Sequence, residues 1–148
     1  MSENSPLVIG LAGFGTVGSG LAEVLRQNKD LIRARIGRDI LIKTVLVRDI
    51  KKARTYALPE GATVTTNPDD LAGDPEISVL VELIGGKDTA YDLICDSLNT
   101  GKNIVTANKA LLAEKGTELF DLTAKKDLGL AFEASVCGAI PIWQTLRE

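Results

Sequence analysis

Leu7-Val8-Ile9-Gly10-Leu11-Ala12-Gly13-Phe14-Gly15-Thr16-Val17-Gly18 is the stretch whose reading decides the fold. Leu7–Ala12 is a continuous apolar run closed by glycines, which is how a strand buried on both faces reads. From Thr16 to Asn28 the pattern changes to a helical period, with Val17, Leu21, Val24 and Leu25 predicted on one face. Between the two lies G-x-G-x-x-G. In that setting Gly13 permits the tight turn, Gly15 lets the backbone approach a pyrophosphate, and Gly18 lets helix and strand pack closely. Phosphates would then lie against the free N–H groups at the start of the helix. With glycine at 14 of 148 residues, the spacing alone is weak and a purely structural turn is the bland reading. The strand–turn–helix context favours a dinucleotide site.

Outward from this unit, short apolar strands alternate with helical segments. The periodicity predicts strands at Ile40–Val47, Thr63–Thr65, Ile77–Ile84, Asn103–Thr106 and Leu130–Glu133. Helical turns are expected around Asp30 to Ile36, with Gly37 as C-cap. Asn67-Pro68 reads as N-cap and first helical position of a brief helix near Leu71. Thr89 is the expected cap of a helix burying Tyr91, Ile94, Cys95 and Leu98 and ending at Gly101. Another helix is expected over Thr117–Lys126. The alternation predicts an α/β fold, a Rossmann-like doubly wound parallel sheet with helices on both faces. Residues 1–140 would form this nucleotide-binding domain. Residues 141–148 would begin a helix leading to a further domain, as though the chain stopped just after its first.

Function in such a sheet gathers at the carboxyl ends of the strands. The second long strand ends in Val47-Arg48-Asp49, with Lys51, Lys52 and Arg54 close behind. An acidic residue at that point would accept from a ribose 2′-OH, whereas an arginine accommodates a 2′-phosphate. Arg48 therefore favours NADP, with NAD as the alternative because Asp49 is adjacent; a solvated charge run is the bland reading. Arg48 also stands farther beyond Gly13 than the usual spacing of about 20, which an inserted helical segment explains. Ile84-Gly85-Gly86 is either a nucleotide-facing loop or a plain turn. Lys109, in Thr106-Ala107-Asn108-Lys109, sits at a helix start where its charge opposes the macrodipole. That placement favours a role on a phosphate, a ribose or a substrate oxygen. Glu133-Ala134-Ser135-Val136-Cys137-Gly138-Ala139-Ile140-Pro141 is a small-residue loop, with carbonyls open to a hard cation.

Composition removes other classes. Hydrophobic residues make up 45% and charged residues 25%, the folded, soluble range. A net charge of −3 argues against nucleic acid as a partner. No run approaches the ~20 apolar residues of a membrane span, and Leu7 to Val17 lacks the positive flank of a signal peptide. A cytoplasmic protein with reduced Cys95 and Cys137 is expected. There is no histidine, so Ser-His and Cys-His nucleophiles are excluded. Tyr56 and Tyr91 are followed four places on by Glu60 and Cys95, so a Tyr-x-x-x-Lys donor is missing too.

Taken in order, these motifs resemble the N-terminal nucleotide-binding domain of homoserine dehydrogenase. The matching stretches are Gly13–Gly18, Val47-Arg48-Asp49, Val81-Glu82-Leu83-Ile84-Gly85-Gly86, Val105–Ala113 through Thr106-Ala107-Asn108-Lys109, and Glu133-Ala134-Ser135-Val136 to Ile140-Pro141-Ile142. The last two are the more specific. The resemblance implies an NAD(P)-dependent oxidoreductase that interconverts L-homoserine and L-aspartate 4-semialdehyde, on the route to threonine, methionine and isoleucine. It implies that Phe14, Gly15, Thr16 and Val17 line the pyrophosphate, Arg48 the 2′-phosphate, and Ile84 and Lys109 the nicotinamide half. It also implies a sodium ion on the main-chain oxygens of Glu133, Val136, Gly138 and Ile140. The family's catalytic residues and its oligomer contacts belong to a second domain, so this piece alone is expected to bind cofactor and barely turn over. Two rival readings are a related semialdehyde or dihydrodipicolinate-type reductase and a nucleotide-sensing module without chemistry.

Overall fold

The computed structural model describes residues 5–52, 54 and 56–135. The chain runs β1 (Leu7–Ala12), α1 (Thr16–Gln27), α2 (Lys29–Ile36), β2 (Ile40–Leu46), β3 (Thr63–Thr65) and α3 (Asp69–Ala72). It continues through β4 (Val79–Glu82), α4 (Asp88–Asn99), β5 (Asn103–Thr106), α5 (Lys109–Lys126) and β6 (Leu130–Ala131) to a 3₁₀ turn at Glu133–Ser135. The strands form one six-stranded sheet of order β3-β2-β1-β4-β5-β6, parallel at every pairing. That order reverses direction between β1 and β4, and the crevice outside the strand ends there is where such sheets hold their ligands.

Alternation along the strands divides the core between the two faces. Ile9, Leu11, Val45 and Val81 pack with Leu21, Ala22 and Leu25 of α1. Ala12, Leu80 and Ile104 pack on the other side with Leu93, Ile94 and Leu98 of α4 and Leu111 and Leu119 of α5. Burial of both faces is why these strands read as unbroken apolar runs rather than as alternating ones. No helix among the described residues is long and apolar enough to cross a membrane.

Several element boundaries differ from the sequence expectation, each for a local reason. The inward face of α1 is Gly18, Ser19, Leu21, Ala22 and Leu25, while Val17 and Val24 are 62% and 53% exposed. Gly18 sets that phase. A Cβ on it would lie 2.1 Å from the Gly13 carbonyl oxygen, so this residue must face the turn and Val17 must face away. α5 begins at Lys109 instead of Thr117, because the Asn108 side chain caps it by accepting from Leu111 N–H. β4 stops at Glu82 rather than Ile84. Leu83 N–H still reaches the Ala12 carbonyl, but Ile84 N–H turns to the Glu82 side chain, and the chain then leaves through Gly85 and Gly86 at φ 67° and 79°. α4 opens at Asp88 with Lys87 before it, leaving Thr89 inside the first turn. β6 ends at Ala131, and Glu133 belongs to the following turn. The Asn67-Pro68 reading fares better: Pro68 is already helical at φ −58° and ψ −30°, and Asn67 Oδ1 accepts from Asp69 N–H.

Candidate functional site

The turn from β1 into α1 forms the floor of a cavity of about 610 Å³ at the carboxyl edge of the sheet. Gly13 has φ 102°, and a Cβ there would stand 2.6 Å from the Leu83 carbonyl oxygen. Only glycine fits both the dihedral and the space. Gly15 differs, since a Cβ on it would meet nothing within 4 Å. It opens into the cavity, where a ligand can approach the backbone. No side chain caps the N-terminus of α1, so the N–H groups of its first turn are available to an anion. Ser19 supports the turn from inside, its hydroxyl donating to the Gly15 carbonyl at 2.7 Å. The cradle therefore fits a dinucleotide pyrophosphate on steric and hydrogen-bonding grounds.

The end of β2 brings Arg48 to the same cavity, joined by Asp49, Lys52, Arg54 and Tyr56. Asp49 does not neutralise Arg48. Its Oδ1 accepts from Lys51 N–H at 2.8 Å, a local turn. Arg54 folds the segment upon itself, with Nη1 donating to the carbonyls of Ile50 (3.0 Å) and Lys52 (2.9 Å) and Nη2 to that of Asp49 (2.7 Å). Arg48 has no ion pair among the described residues. It also lines a second cavity of about 300 Å³ together with Pro68, Ile84, Gly85 and Gly86. Among the described residues its charge thus stands without an ion pair, between two concave spaces.

A third cavity, of about 290 Å³, adjoins the first at Leu83 and is lined by Val17, Glu82, Gly85, Asn108 and Lys109. Glu82 and Thr106, paired across β4 and β5, are both fully buried. Glu82 Oε2 accepts from the Thr106 hydroxyl at 2.6 Å, and Oε1 accepts from Ile84 N–H at 2.9 Å.

The site residues expected from sequence are distributed as follows. Gly13, Phe14, Gly15, Thr16, Arg48 and Ile84 line the cavity of about 610 Å³, and Val17 and Lys109 meet in its neighbour. Gly18 is buried behind the turn. Phe14 has its side chain in the core with Val45 and Val47, which leaves chiefly its backbone for a ligand. For the expected cation site, Glu133 is on an exposed turn, while Val136, Gly138 and Ile140 lie outside the described residues. Among the described residues no group of three or more His, Cys, Asp or Glu side chains is placed to hold a metal ion. Tyr56, Glu82 and Asn108 received no role from sequence. For Glu82 the available signal was a charged residue closing an otherwise apolar run.

Comparison with known proteins agrees with this geometry. The family described as "Homoserine dehydrogenase, NAD binding domain" matches residues 13–133. The chain is 40% identical over 140 residues to homoserine dehydrogenase of Bacillus subtilis, covering 95% of this chain and 32% of that protein. It is 43% identical over 142 residues to that of Helicobacter pylori, covering 96% and 32%. The crystal structure of a homoserine dehydrogenase from Thiobacillus denitrificans superposes with a TM-score of 0.91 at 45% identity, over 98% of this chain and 33% of that one. The chain thus spans about a third of the length of these relatives. With its fingerprint turn, its sheet order and these likenesses in agreement, it belongs to the homoserine dehydrogenase family and carries that family's NAD-binding domain.

Proposed function

We propose that the chain binds NADP and serves as the nucleotide-binding part of an oxidoreductase that interconverts L-homoserine and L-aspartate 4-semialdehyde. The observation that carries the choice of NADP is the guanidinium of Arg48 beyond the end of β2, without an ion pair among the described residues and with Lys52 lining the same cavity. A 2′-phosphate there would meet the positive charge of Arg48 and Lys52, whereas for a ribose 2′-OH the carboxylate at the cavity is that of Asp49, one oxygen of which already accepts from Lys51 N–H. Gly13 and Gly15 shape the pyrophosphate cradle, and the N–H groups from Phe14 to Val17 hold its charge. Ile84 and Lys109 border the nicotinamide half, Ile84 as an apolar surface and Lys109 as a cation. Bound there, the nicotinamide supplies or accepts the hydride. The residues of this chain orient it, and the remaining length of the relatives is where the substrate's own contacts are expected.

Titration of the chain with NADPH and NADH, followed by nicotinamide fluorescence or heat, tests the reading. Charge-assisted hydrogen bonds contribute about 1.5–3 kcal/mol. Arg48→Ala should therefore weaken NADPH roughly ten- to a hundredfold and leave NADH nearly unchanged. Equal loss of both cofactors, or no loss of either, would remove Arg48 as the discriminating residue. Homoserine turnover by a chain of the relatives' full length then tests the reaction.

A further inference from the structure

Ile84 and Lys109 sit on separate loops, one following β4 and the other following β5. The two loops are joined by a circuit of side-chain hydrogen bonds. It starts at Glu82, whose Oε1 accepts from Ile84 N–H (2.9 Å) and whose Oε2 accepts from the Thr106 hydroxyl (2.6 Å). Thr106 Oγ1 in turn accepts from Asn108 N–H at 3.0 Å. Asn108 Nδ2 then crosses back to the first loop and donates to the Gly86 carbonyl at 2.6 Å. Its Oδ1 accepts from Leu111 N–H at 3.1 Å, which fixes the start of the helix that carries Lys109. Ser135 adds the loop after β6, donating to the Thr106 carbonyl at 2.9 Å.

We propose that Glu82, Thr106 and Asn108 are positioning residues that brace these two loops, so that Ile84 and Lys109 are held in register for the nicotinamide half of the cofactor. The inference rests on the dinucleotide reading above and adds residues to which that reading gave no role. Three features carry it. The circuit closes upon itself, so displacement of any member is transmitted to both loops. Glu82 and Thr106 are fully buried, so water cannot replace a lost partner without opening the site. The direction of every bond is also fixed. Both Glu82 oxygens accept, one from Ile84 N–H and the other from the Thr106 hydroxyl, while the Thr106 oxygen accepts from Asn108 N–H. An amide at position 82 has a single acceptor, so whichever way it turns, either Ile84 N–H or the Thr106 hydroxyl loses its partner.

The test measures binding of two probes to the chain: NADPH, and 2′,5′-ADP, which lacks the nicotinamide half. Wild type should bind both, NADPH more tightly. Glu82→Gln and Thr106→Val should each weaken NADPH roughly tenfold, the equivalent of about one hydrogen bond, and leave 2′,5′-ADP within about twofold. Thr106→Ser, which restores the hydroxyl, should recover wild-type affinity for NADPH. The proposal is overturned if Glu82→Gln and Thr106→Val bind NADPH like wild type, if they lose both probes in parallel, or if Thr106→Ser behaves like Thr106→Val. A wild-type chain that binds neither probe would overturn the dinucleotide reading itself, and the brace with it.

Discussion

A Cβ built on Gly18 would stand 2.1 Å from the Gly13 carbonyl oxygen, whereas one built on Gly15 would meet nothing within 4 Å. The two glycines share one fingerprint but act on different quantities. Gly18→Ala should push α1 away from β1 and destabilise the fold by about 1–3 kcal/mol, the usual range for overpacking. Gly15 has φ −85°, which any residue can adopt, so Gly15→Ala should leave the urea midpoint unchanged or slightly raised. Its methyl group would nevertheless enter the cavity and weaken NADPH roughly tenfold or more, about 1.4 kcal/mol of lost contact. Parallel urea denaturation and titration check the pair, and an unstable Gly15→Ala would contradict this division. The places of Gly13, Gly15 and Arg48 at the cavity were legible in the sequence because each depends only on position relative to one strand. Tyr56 and Glu82 were not. Tyr56 reaches the cavity by way of a loop folded through Arg54, and the partners of Glu82 are set by the register of β4 against β5.

At the scale of elements, the strands were readable because burial on both faces writes itself as apolar runs. Helix phase and helix starts were less so. The apolar residues of α1 allow a face through Val17 and Val24, and only the contact at Gly18 turns them outward. α5 shows a similar contest. Lysine at the first position of a helix is unfavourable, which argues for a later start, but the Asn108 cap outweighs it. Asn108→Ala should accordingly cost about 1 kcal/mol, within the 0.5–2 kcal/mol range for lost caps, and lower the thermal midpoint. Asn108→Asp keeps the capping acceptor but loses the donor to the Gly86 carbonyl, so it should retain most of the stability. A fully destabilised Asn108→Asp would mean that the contact to Gly86, not the cap, dominates.

For the molecule as a whole, the two edges of the sheet have separate duties. The carboxyl edge holds the cavities, while the amino edge carries Lys43 in ion pairs with Asp74 and Glu76, and a buried lysine, Lys102, 2% exposed. The Lys102 amine donates to Thr100 Oγ1 at 3.2 Å. Desolvation lowers its pKa from the usual value of 10.5, and the attraction of Asp74 opposes that shift. The folded state therefore binds this proton less readily than the unfolded chain. Lys102 weakens the fold in full at neutral pH, and the effect fades as pH rises through the interval between its lowered pKa and 10.5. Lys102→Met should be at least as stable as wild type at pH 7, with the difference shrinking toward pH 10.5 and nucleotide affinity unchanged. Denaturant midpoints for both proteins across that range check the sign, and a gap that widened with pH would refute it.

The segment after β2 has a bearing beyond binding. The hydrogen bonds described for residues 49–54 run among those residues themselves, with Arg54 gathering the carbonyls of Asp49, Ile50 and Lys52 and Asp49 closing upon Lys51. None of these bonds reaches a strand. Among the described residues, then, a change of charge in this segment removes no hydrogen bond of the sheet. On the proposed NADP reading, a lineage adapting to a different balance of reduced cofactors would have here a piece of chain on which selection can act while the strands keep their own bonds.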